Sequence, residues 1–94
     1  MNRIFIPYAG SSVAAVSIKG HRFVVLSRRK DKLERSLHLL GADSLRELHS
    51  APGQEEAALG VLAREVRGGL VIAPAAMELP DVLRLLESQL TWIH

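Results

Sequence analysis

Ninety-four residues, 48% of them hydrophobic, suffice for one modest core without an inserted lid or second lobe, so the chain reads as a single domain over 1–94. With no cysteine it has no disulfide, thiol nucleophile or cysteine-ligated metal, which fits a reducing compartment and points to the cytoplasm. The net charge of +2 conceals a division: residues 1–35 carry eight Lys/Arg against Asp31 and Glu34, a net +6, whereas residues 36–94 carry four against eight carboxylates, a net −4.

In chain order, Ile4, Ile6 and Tyr8 alternate with Arg3, Phe5 and Pro7, which predicts a first strand that Pro7 confines to a sheet edge or a bulge. Pro7, Gly10, Ser11 and Ser12 also interrupt the apolar start, which argues against a secretory signal. Val13 to Ile18 and Arg22 to Ser27 form a hairpin around Lys19-Gly20-His21, where Gly20 can take a positive φ. Its apolar residues do not alternate strictly, so parts of both faces need cover.

Helical signals follow. Asp31 and Glu34 match a capping box, Leu33, Leu37 and Leu40 make one stripe, and Gly41 stops it. Ser44 and Glu47 repeat the box, predicting a second short helix through Leu45 and Leu48 that ends before Pro52. A third helix spans about Gln54 to Arg67, ended by Gly68-Gly69. Leu70 to Ala73 reads as a buried strand, since four apolar residues in a row need cover on both faces. From Pro80 a last helix gathers Leu79, Val82, Leu83, Leu86, Leu90 and Ile93 on one face. The expected class is α+β: a small, mostly antiparallel sheet made of an edge strand, a β-hairpin and one buried later strand, with helices packed on one face.

No catalytic motif emerges, and no apolar run approaches the roughly 20 residues that cross a bilayer. His21, His38, His49 and His94 lack the i, i+4 spacing of a helical metal site, so neither metal nor cofactor is expected. Gly10-Ser11-Ser12 reads as a plain turn, since no Lys follows it as in a phosphate-binding loop. A helix-turn-helix over Asp31 to Ser50 fails on Glu47, which stands where an apolar residue should be buried.

Two surfaces remain. On the last helix Leu85 and Trp92, seven apart, form an apolar flank away from the core arc, the pattern either of a helix that packs on a symmetry mate or of side chains that fold back against the helix at Gln54 to Arg67 or the edge strand. Lys19, Arg22, Arg28, Arg29, Lys30, Lys32 and Arg35 form a basic set that would hold phosphates, with Tyr8 as the one aromatic placed to stack on a base. The same charges could simply solvate the surface and attract the acidic remainder of the chain. The sequence therefore favours binding over catalysis: a small protein-interaction or regulatory module, self-associating as a homodimer and able to take a protein partner. The alternative is a nucleic-acid binder using the basic hairpin and the start of the first helix.

Overall fold

Lys19 and Gly20 adopt φ of 51° and 81°, two consecutive positive values that match the twist of a tight hairpin. The turn is therefore two residues long, one fewer than the sequence suggests, with Ile18 paired to His21. A computed structural model describes residues 3–92, and their side chains through residue 90. Its elements are β1 (Phe5–Ala9), β2 (Ser12–Val13), β3 (Val16–Ile18), β4 (His21–Leu26), α1 (Lys30–Glu34), a 3-10 turn (Leu37–Leu40), β5 (Ser44–Glu47), α2 (Glu55–Val66), β6 (Gly69–Ile72) and α3 (Leu79–Trp92). The chain is α+β, as its patterning predicts.

The strands form two three-stranded sheets, ordered β2-β1-β5 and β3-β4-β6. All pairings are antiparallel except β4 with β6. The sheets meet where Phe5 and Ser27 exchange backbone hydrogen bonds of 2.8 and 3.3 Å. Strand alternation then sorts side chains into two cores. Phe5 and Val25 join Leu33, Leu40, Leu79 and Val82 on the side of α1 and α3. Ile4, Ile6, Val24 and Leu26 join Leu62 and Val66 of α2 on the other. Three consecutive buried residues, Val24 to Leu26, demand this double cover, so the helices divide between two faces rather than gathering on one.

Other placements differ from the sequence expectation for identifiable reasons. β1 lies at the centre of its sheet despite Pro7. Its even-numbered carbonyls, Ile4 and Tyr8, accept hydrogen bonds from Leu48 and Asp43 flanking β5, so Pro7 turns its missing N–H toward the gap between β2 and the Ser27 contact, where no donor is required. Ser44–Glu47 is a strand and not a helix: a spacing of three puts Leu45 and Leu48 on opposite faces of extended chain, and each reaches a different core. β6 is covered on both faces, Leu70 by the α2 core and Val71 by the α3 core, but it pairs only with β4 and is half-buried at the sheet's edge. The capping box at Asp31 does not form, because α1 begins at Lys30 with Arg29 at its N-cap, which leaves Asp31 inside the first turn, paired with Arg29 and Arg35; α1 closes after one turn and the 3-10 turn carries the chain to Gly41.

Candidate functional site

Ser27 fixes the start of the basic segment: its Oγ accepts the Arg29 N–H at 3.0 Å while its own backbone is held by Phe5. The cations that follow meet carboxylates. Arg28 lies 2.8 Å from Glu55 at the start of α2, Arg29 3.1 Å from Asp31, Lys30 3.4 Å from Glu34, and Arg35 3.6 Å from Glu78. Arg3 makes a two-pronged pair with Glu47. Three of these pairs, to Glu47, Glu55 and Glu78, tie the basic segment to the acidic remainder of the chain. The Arg28 hydrogen bond holds the Glu55 carboxyl below its ordinary value, the Arg3 hydrogen bond does the same at Glu47, and both guanidinium pKa values rise in return. Solvent-exposed pairs of this kind are individually weak and screened by salt.

The seven basic residues picked out in the sequence do not form one surface. Lys32 is 3% exposed, and its ammonium donates to the carbonyls of Ala75 and Met77 at 2.6 and 2.5 Å, so it is anchored inside the fold. Lys19 and Arg22 sit at the hairpin end of β4, about 20 Å from Arg28 at the strand's rise per residue. Arg28, Arg29, Lys30 and Arg35 remain together, and Arg28 and Lys30 share a shallow cleft with Arg3 and Glu47. Tyr8 is not a free platform, since the Arg46 guanidinium lies over its ring at 4.3 Å.

Of the apolar pair, Leu85 is 45% exposed on α3, and the Trp92 side chain lies outside the described residues. On the opposite flank of α3, Leu83, Pro80 and the 40% exposed Leu39 form an open groove of about 400 Å³ with Val16 and Ile18 of β3, rimmed by Arg84 and Glu87. Sequence periodicity misses this groove because β3 and Leu39 reach it only through the fold. A third, polar cleft of about 370 Å³ opens where the β1–β2 turn and Arg22 face the end of α2 at Glu65. The Gly10-Ser11-Ser12 turn on its rim is a hairpin turn whose Gly10 N–H is taken by the Asp43 carboxylate at 3.0 Å. Nothing in the sequence marks Glu65 except its place beside the inward Val66.

Among the described residues no three His, Cys, Asp or Glu side chains are grouped to hold a metal. No helix there is long and apolar enough to cross a membrane. Compared with known protein families, curated proteins and solved structures, the chain matches none.

Proposed function

We propose that this chain is a small interaction module that self-associates through the apolar surface of α3 and acts by binding rather than catalysis. The observation that carries the reading is the exposure of Leu85, on the flank where the sequence also places Trp92. A Leu and a Trp on one outer flank of an amphipathic helix make a small apolar patch that a symmetry mate can cover, and Trp is among the residue types enriched at such centres. The groove between β3 and α3 is a second, separate apolar surface on the helix's other flank. The lack of cysteine suits a cytoplasmic setting.

The ion pairs weigh against the competing reading, a nucleic-acid surface on the basic segment. Arg28, Arg29, Lys30 and Arg35 already face carboxylates, which a phosphate would have to displace.

Light scattering across a concentration series tests the proposal. The unaltered chain should run as a dimer, and Leu85→Ala with Trp92→Ala should shift it to monomer with its circular dichroism unchanged. A monomer at high concentration in the unaltered chain contradicts the reading. Titration with labelled duplex DNA and RNA at two salt concentrations is the second arm. Salt-steep binding that Arg28→Ala, Arg29→Ala and Lys30→Ala together abolish would favour the nucleic-acid alternative.

A further inference from the structure

The polar cleft at the end of α2 is built from opposed charges that do not meet. Arg22 enters it from the first residues of β4, on the face of the strand that carries Val24 and Leu26. Glu65 enters it from the last turn of α2, beside the buried Val66. Among the described residues neither side chain has an ion-pair or hydrogen-bond partner, although most of the molecule's other guanidinium groups lie against carboxylates. Ser11 and Ser12 of the β1–β2 turn also line the cleft, as does Tyr8, with Arg46 over its ring.

The backbone adds a second asymmetry. α2 ends at Val66, with Arg67 in the left-handed conformation, so Glu65 lies in the last helical turn, at the negative end of the helix dipole. The helix end is pinned there. A Cβ on Gly68 would stand 2.5 Å from the Arg22 carbonyl oxygen, so the joint from α2 to β6 is packed directly on the strand that carries Arg22. The cleft therefore offers an unpaired guanidinium, an unpaired carboxylate and two hydroxyls at one opening. At about 370 Å³ the volume sits at the small end of the roughly 300–1,000 Å³ typical of small-molecule sites.

We propose that this cleft binds a small zwitterion of α-amino-acid type, its carboxylate on Arg22 and the Ser11 and Ser12 hydroxyls, its ammonium on Glu65 in the last turn of α2. A simple oxyanion fits less well, because Glu65 and the helix end both repel it. A simple cation leaves Arg22 opposed. The site is separate from the α3 surface, so its occupancy and self-association are independent properties.

The test is a titration of the 15N-labelled chain with pools of free L-amino acids, followed by amide chemical shifts. Shifts should move at Ser11, Ser12, Arg22 and Glu65 with at least one pool. For the responding amino acid, N-acetylation or conversion to its primary amide should each weaken binding about tenfold or more, the loss of one charge-assisted contact. Arg22→Gln should weaken the free amino acid by a similar factor and leave the amide form unaffected; Glu65→Gln should do the same with the N-acetyl form unaffected. Both positions are exposed, so the two variants keep the parent spectrum elsewhere. The proposal is overturned if no pool moves these four amides at millimolar concentration. It is equally overturned if inorganic phosphate or acetate binds as well as the amino acid and Glu65→Gln strengthens that binding.

Discussion

Lys32 spends its charge on the fold. Its ammonium reaches two carbonyls of the segment leading into α3, and no carboxylate joins it among the contacts described. Lys32→Met keeps the length of the side chain but removes its hydrogen bonds to two part-buried carbonyls, at a cost of about 1–2 kcal/mol, to be read from urea unfolding. A variant as stable as the parent contradicts the anchoring role. Gly68 makes the complementary point about space. Because a methyl group there would collide with backbone rather than with a movable side chain, Gly68→Ala should destabilise by about 1–3 kcal/mol. The same substitution at Gly60, where an added Cβ meets nothing within 4 Å inside α2, should instead stabilise slightly. Thermal unfolding of the two variants side by side checks the contrast.

The elements are held by both packing and charge, and the two can be separated by pH. Arg28–Glu55 ties the end of β4 to the start of α2, and Arg3–Glu47 ties the chain before β1 to β5. Both carboxyls have folded pKa values below their unfolded ones, so their contribution is complete above the ordinary carboxylate range and is lost as pH falls through the depressed folded values. Stability at low ionic strength should therefore fall on acidification, and Glu55→Gln should make that fall shallower. If the variant and the parent lose stability identically, the pair contributes nothing. The same elements mark how far the sequence could be read. The hairpin, α2 and α3 were legible because turn chemistry and a 3.6-residue period act within a few residues. β5 was not, because Ser44-Leu45-Arg46-Glu47 carries helix-start residues and becomes a strand only by filling the open side of β1, a partner about 40 residues away. The central place of β1 was hidden for a related reason: Pro7 is tolerated only because of where β2 ends and Ser27 begins.

At the scale of the whole molecule, the division between a basic first part and an acidic remainder is met by contacts within one chain. Glu47, Glu55 and Glu78 each receive a cation from residues 3–35. The candidate surfaces were legible to different degrees: Leu85 from helical spacing alone, the β3–α3 groove and the Arg22–Glu65 cleft not at all, since each joins residues more than 40 positions apart. Self-association through α3 is tested by the concentration dependence of amide chemical shifts in the labelled chain. As concentration rises, shifts should move along the outer flank of α3 around Leu85 and leave residues 28–35 in place. Spectra unchanged from dilute to concentrated solution, or changes confined to residues 28–35, would contradict it.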